Sequence, residues 1–184
     1  MKITKNTTDI QVMIGDIMEK EGGYNWHPDD KGGPTKYGIT LKTLSDWRGK
    51  KCNSRDVIAL TKKTAYDIYE HNYFKQPKIN LLPERIQPII FDMAVNHGPE
   101  RAIKLLQEVL LAHGKNIGTA DGKIGRLTQD AAKCAMESLG DDLINTLVAR
   151  RIAFYKSIVE HDQTQAVFLN GWLNRAESFR VVTV

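Results

Sequence analysis

The feature that most constrains the fold of this chain is a helical spacing of apolar residues that recurs along its length and is broken decisively once, early on. Ile10, Met13, Ile14, Ile17 and Met18 fall three and four apart, which puts them on one face of a helix. The same spacing returns in Ala65, Ile68, Tyr69 and Tyr73, in Ala102, Ile103, Leu106, Val109 and Leu110, and in Ile144, Val148, Ile152, Tyr155 and Val159. Between the first of these stripes and the rest lies Tyr24 to Thr40, which contains Pro28, Gly32-Gly33-Pro34 and Gly38 and predicts turns and a short irregular hairpin. Asp9, Thr40 and Thr61 stand where helix N-caps belong, Asn53 or Ser54 opens a short segment, and Thr128 is expected to cap a helix running to Leu139. Pro88 and Pro99 suit first helical turns, Gly22, Gly49, Gly98 and Gly114 suit helix ends, and Asp141 is expected to open the longest helix. The predicted class is α+β but predominantly α-helical, with a small turn-rich β lobe inserted after the first helix of a helical bundle.

Composition narrows the function classes. With 41% hydrophobic residues in 184, the chain can bury a real core and is not globally disordered. The net charge of +4 favours an acidic polymer as partner, but the basic residues are scattered in runs of two at most, which argues against dedicated nucleic-acid binding. No apolar run approaches the roughly 20 residues of a membrane span, so no stable membrane insertion is expected. The first residues lack the apolar stretch of about 7–15 residues found in a secretory signal. The expectation is therefore synthesis in the cytoplasm and action in the periplasm or cell wall after release by another factor. Cys52 and Cys134 form no CxxC pair and are expected as two reduced thiols rather than one disulfide. The five histidines form no HExxH and no compact ligand set, so neither a metal nor a cofactor is expected.

The chemistry is expected at the end of the first helix. Four residues after Ile17 the apolar stripe reaches Glu21, followed by Gly22-Gly23. The spacing predicts a partly buried carboxyl at the helix's last turn. Burial and the negative end of a helix both favour the neutral form of a carboxylic acid, and a neutral acid can protonate a glycosidic leaving oxygen. The two glycines leave room for a bulky substrate. A plain solvated helix end or an ion-pair partner is the competing reading. Asp30 and Thr35 follow on the turn-rich stretch, where a carboxylate and a hydroxyl could polarise and hold a water across the scissile bond. Asp29 competes with Asp30 for this role, and an ordinary turn is the competing reading for both.

Several ordered blocks then resemble a known family. Glu21-Gly22-Gly23-Tyr24, followed by Asp30-Lys31-Gly32-Gly33-Pro34-Thr35-Lys36-Tyr37-Gly38-Ile39-Thr40, resembles the EGGY…D-x-GG-x-T-x-x-GIT signature of glycoside hydrolase family 108. This muramidase family includes phage endolysins and related bacterial cell-wall hydrolases. Phe91 to Pro99, Asp121 to Gly125 with Thr128, Arg150 to Tyr155 and Gly171 to Arg175 continue the likeness over about residues 9–178. The resemblance implies a lysozyme-like fold. It also implies cleavage of peptidoglycan glycan strands at the β-1,4 bond between N-acetylmuramic acid and N-acetylglucosamine, with Glu21 as the catalytic acid. Asp30 and Thr35 match the family's downstream acidic and hydroxyl positions, although Thr35 comes one residue early against the E-x8-D-x5-T pattern of phage lysozymes. Where many relatives read Asn-Asp-Pro, this chain has Trp26-His27-Pro28. Residues 1–98 are expected to form the catalytic region and 99–184 a helical region resembling a peptidoglycan-binding part. The protein is expected to be a monomer, and the lack of a signal-like stretch leads to the expectation that a holin or equivalent releases it.

Secondary candidates carry competing readings. Tyr24, Trp26 and Tyr37 could stack on sugars or pack the small lobe. Asn96 and His97 could line the cleft floor or merely cap a helix, and Trp172 reads as core before it reads as a sugar platform. Asp121 reads first as a turn-former, with Lys123 and Arg126 beside it as basic contacts for an acidic wall. The competing functions are a lytic transglycosylase, which also uses one glutamate, and a non-catalytic wall-binding module.

Overall fold

The structure, a computed structural model, describes residues 9–25 and 33–182. These residues divide into two compact units, one ending at Asn72 and the other beginning at Tyr73.

In the first unit, helix α1 (Ile10–Glu21) opens at Asp9, whose carboxylate accepts the Gln11 N–H at 2.8 Å. The helix buries Ile10, Ile14, Ile17 and Met18, the face its spacing predicts. A three-stranded antiparallel sheet follows, β1 (Tyr24–Asn25), β2 (Thr35–Lys36) and β3 (Ile39–Thr40), in that spatial order. Tyr24 stands opposite Lys36, Asn25 opposite Thr35, Thr35 opposite Thr40 and Lys36 opposite Ile39. Between β2 and β3 the chain reverses through two residues with positive φ, Tyr37 at 54° and Gly38 at 73°. Two consecutive positive φ values mark the primed turn whose twist matches antiparallel strands. Helix α2 (Leu41–Arg48) is capped by Thr40, whose hydroxyl accepts the Thr43 N–H, and is stopped by Gly49. Helix α3 (Ser54–Ile58) opens at Asn53 rather than Ser54, because Asn53 and Asp56 form a reciprocal capping box. Helix α4 (Lys62–Glu70), capped by Thr61, buries Ala65, Ile68 and Tyr69 and packs against α1. The Lys36 ammonium donates to the Ile58 carbonyl at 2.6 Å, tying the sheet to α3.

The second unit contains α5 (Gln87–His97), α6 (Pro99–Ala112), α7 (Arg126–Leu139), α8 (Asp141–His161) and α9 (Ala166–Glu177). Helix α5 is buried along most of its length, from Pro88 to Ala94, and packs against α6, which in turn packs against α7 and α8. A continuous apolar cluster runs through Ile90, Met93, Leu106, Val109, Leu147 and Val148. Burying each such side chain fully stabilises by about 1.5–3 kcal/mol. Two charged side chains are fully inside: Asp92 on α5 accepts from Arg151 on α8 at 2.5 Å, and it also accepts from the half-exposed Arg175 on α9 at 2.8 Å.

The expected cap of α7 is not observed. The helix starts at Arg126 from an extended Gly125, and Thr128 is buried inside its first turn. The hydroxyl of Thr128 is used elsewhere, 3.2 Å from the Gln107 amide nitrogen, in the network that shapes the preceding loop. Asp141, by contrast, opens α8 as expected, and α8 is the longest helix among the described residues. Cys52 is a buried free thiol and Cys134 an exposed one. No helix among the described residues is long and apolar enough to cross a membrane.

Candidate active site

Glu21 is the last residue of α1, and Gly22 caps it with φ 71°. The expected partial burial does not occur: Glu21 is exposed. The buried face of α1 ends with Ile17 and Met18, and the chain leaves the helix immediately after Glu21. Its stem is nonetheless closely confined. A Cβ built on Gly38 would lie 3.0 Å from the Glu21 Cγ and 3.4 Å from its Cβ, so the sheet's turn passes directly beside the acid. Among the described residues, nothing lies within 4 Å of where a Cβ on Gly22 or Gly23 would stand.

The turn is fixed from two sides. The Tyr37 N–H donates to the Gly22 carbonyl at 3.1 Å, and the Tyr69 hydroxyl donates to the Tyr37 carbonyl at 3.0 Å. The sequence places Gly38 in a turn-rich stretch but gives Tyr69 only as a core position on its helix. Its hydroxyl contact spans 32 residues, which no local pattern encodes.

The other candidates fall as follows. Tyr24 is exposed on β1, and Thr35 and Tyr37 are half-buried on β2 and its turn, so pairing and the Gly22 contact bring all three to the end of α1. The Thr35 hydroxyl makes a long 3.5 Å approach to the Asn25 carbonyl. The Lys36 ammonium sits 5.4 Å from the Tyr37 ring centroid. Trp26, Asp29 and Asp30 lie outside the described residues. In the second unit, the exposed Asn96 donates back to the Asp92 carbonyl at 2.8 Å and to its carboxylate at 3.1 Å, so its amide is used within α5. Asp121 forms its turn by accepting the Gln107 amide at 2.8 Å and the Lys123 N–H at 2.9 Å, and the Gln107 contact leads in holding its carboxyl below the usual range. Lys123 and Arg126 are exposed beside that turn, and Arg126 makes only a 3.7 Å pair with Asp130. Trp172 is half-buried and stacks on the buried Tyr155, with ring centroids 5.3 Å apart. Among the described residues no group of His, Cys, Asp and Glu side chains could hold a metal ion.

His97 belongs to an aromatic cluster, 5.3 Å from the Phe154 ring and 5.4 Å from the Tyr155 ring. Its Nε2 is buried without a hydrogen-bond partner. Burial first, and then the Arg151 charge, push the imidazole down to about 4; Asp92 pulls the other way. An unfolded histidine titrates near 6.5, so between about pH 6.5 and 4 the unfolded chain binds the proton that the folded chain refuses. The stability present above about pH 6.5 should therefore fall as pH drops towards 4. With the ring's partial exposure discounted, the loss attributable to His97 is about 2 kcal/mol. Urea unfolding at pH 7 and pH 4.5 checks this. His97→Phe should remove that part of the pH dependence, and an unchanged slope would show that His97 is not its source.

Sequence profiles and solved structures agree with this arrangement. The profile of Glycosyl hydrolase 108 matches residues 14–98, and that of a family described as Predicted Peptidoglycan domain matches residues 101–177. No curated protein matches the chain. Among solved structures, SagA of Brucella abortus superposes with a TM-score of 0.73 at 36% sequence identity, over 92% of this chain and 90% of that one. A helix-dominated chain with one small antiparallel sheet after its first helix is the α+β, lysozyme-like arrangement expected from the sequence. The chain belongs to glycosyl hydrolase family 108 and is a glycosidase that acts on peptidoglycan.

Proposed function

We propose that the enzyme is a muramidase that hydrolyses the β-1,4 bond between N-acetylmuramic acid and N-acetylglucosamine, with Glu21 as general acid. The observation that supports this most is a carboxyl at an open helix end whose stem is confined by the Tyr37–Gly38 turn. A glycan strand is a polymer and cannot enter a closed pocket, so an exposed acid on a fixed stem suits it. In this reading Glu21 donates its proton to the glycosidic oxygen as the bond from the anomeric carbon breaks. Water supplies the hydroxyl that takes the leaving sugar's place, with Asp30 accepting its proton and Thr35 holding it. Tyr24, Trp26 and Tyr37 would then offer ring faces to the sugars. The test is mass spectrometry of muropeptides released from purified sacculi. Reducing N-acetylmuramic acid ends are expected from the wild type, and 1,6-anhydro ends would identify a lytic transglycosylase instead.

The exposed Lys123 and Arg126 are proposed to contact carboxylates of the wall peptides, so binding should weaken with salt, since charges screen over about 10 Å at 0.1 M. Removing both charges is expected to weaken sacculus binding in pull-down assays at low salt. Thermal stability should hardly change, because neither residue is packed. Salt-independent binding would overturn the electrostatic account.

A further inference from the structure

We propose that Tyr69 is a positioning residue for Glu21, its hydroxyl holding the Tyr37–Gly38 turn against the stem of the acid. The inference rests on Glu21 being the general acid and adds the device that aims it. Tyr37 adopts φ 54°, a conformation that residues with a side chain take rarely and that persists only where the surroundings enforce it. Here both of its backbone polar groups are committed, and to different elements. Its N–H reaches the Gly22 carbonyl, one residue beyond Glu21, and its carbonyl accepts the Tyr69 hydroxyl from α4. One residue thereby joins the end of α1 to α4 beside the acid.

The next residue shows how tightly this joint is packed. A methyl group on Gly38 would run into the Tyr69 hydroxyl oxygen and would also crowd the Glu21 Cγ at 3.0 Å. Backbone of the turn therefore fills the gap between the hydroxyl and the carboxylate's stem, leaving no space for another carbon. Tyr69 is 4% exposed, so its hydroxyl is withdrawn from solvent, and its donation is one of the two hydrogen bonds that fix Tyr37 to its surroundings. Burial of the ring alone needs no hydroxyl, and phenylalanine would fill the same buried position on α4. What the hydroxyl adds is the lock. Glutamate has three side-chain torsions, and proton donation to one glycosidic oxygen needs a narrow range of them. Close contact along the stem restricts the torsions nearest the backbone while the carboxyl stays open to substrate.

The experiment uses the full chain with soluble, uncrosslinked glycan strands, following reducing ends to obtain kcat and KM. For Tyr69→Phe, kcat is expected to fall about tenfold or more while KM stays within about twofold, as a misaimed acid slows chemistry without weakening substrate binding. Helical circular dichroism should be retained. Unchanged kcat in a folded variant would overturn the proposal, as would a raised KM with kcat intact, which would place the role of Tyr69 in substrate binding. Gly38→Ala supplies the second arm. Its methyl collides with the hydroxyl only when that hydroxyl is present, so the double variant should lose less than the product of the two single losses. Strictly multiplicative losses would contradict the shared joint. Glu21→Gln in the same assay separates the two claims. If it stays active, the assignment of the acid fails and the positioning role with it. An inactive Glu21→Gln beside a Tyr69→Phe of wild-type kcat overturns the positioning role alone.

Discussion

Replacing Glu21 by glutamine is expected to leave a folded protein that cleaves peptidoglycan about 10²–10⁴-fold more slowly, the usual contribution of a positioned acid–base group. Glutamine keeps the shape and reach of the side chain and loses only the proton it would donate. The fold should not suffer. Glu21 lies outside the buried face of α1, and only its stem meets the turn at Gly38. Stability should if anything rise slightly, because a carboxylate at a helix C-terminus opposes the helix dipole and glutamine does not. Loss of activity with an unchanged or slightly raised melting temperature is the combination that separates a catalytic role from a structural one. Reducing-end release and thermal unfolding on the same preparation measure both. A folded Glu21→Gln protein within about tenfold of wild type would remove Glu21 from the chemistry.

The elements of this fold were legible where local physics decides them. The α1 stripe, the Thr40 and Thr61 caps, the stops at Gly49 and Gly98 and the Pro88 and Pro99 starts each depend on neighbours a few residues away, and each is found as expected. The candidate site, placed by the sequence at the end of α1 beside a turn-rich stretch, is where strand pairing and the Gly22 contact gather Tyr24, Thr35 and Tyr37. The state of Glu21 was misjudged because extending a stripe by four assumes that packing continues past the helix end, and at Gly22 it stops. Thr128 was misread for a related reason: a threonine before an apolar run looks like a cap, but a distant glutamine, Gln107, claims its hydroxyl. Tyr69 was seen as core and missed as a hydrogen-bond donor, since its partner lies on another element. The most informative missed signal is on α5. A helix apolar on nearly every side is buried, so the single aspartate within it, Asp92, must find cations inside the protein.

Asp92→Asn is accordingly expected to be among the most destabilising single changes in the chain, by about 3–5 kcal/mol. The carboxylate is 5% exposed and accepts from Arg151 Nη2, from Arg175 Nε and Nη2, and from the Asn96 amide, so it ties α5 to α8 and α9. Arg151 is fully buried, donates its Nε to the Tyr155 hydroxyl at 2.9 Å, and has its charge balanced by Asp92. The cluster holds one negative and two positive charges. Removing the negative charge leaves two guanidiniums beside each other, one of them with no access to water. Removing Arg151 instead, as Arg151→Met, leaves Asp92 still paired with the half-exposed Arg175 and replaces a buried cation with a shorter apolar side chain. That change should cost less, since Asp92 keeps a cationic partner and no buried charge is left unbalanced. Denaturant unfolding of the two variants at neutral pH therefore tests the charge argument by its asymmetry. If the cluster acted only through packing and hydrogen-bond count, Arg151→Met, with the larger change in shape, would be the worse of the two. Asp92→Asn as the worse variant, with a melting temperature lowered on the order of 10 °C, would show that an unbalanced buried cation is what the fold cannot tolerate.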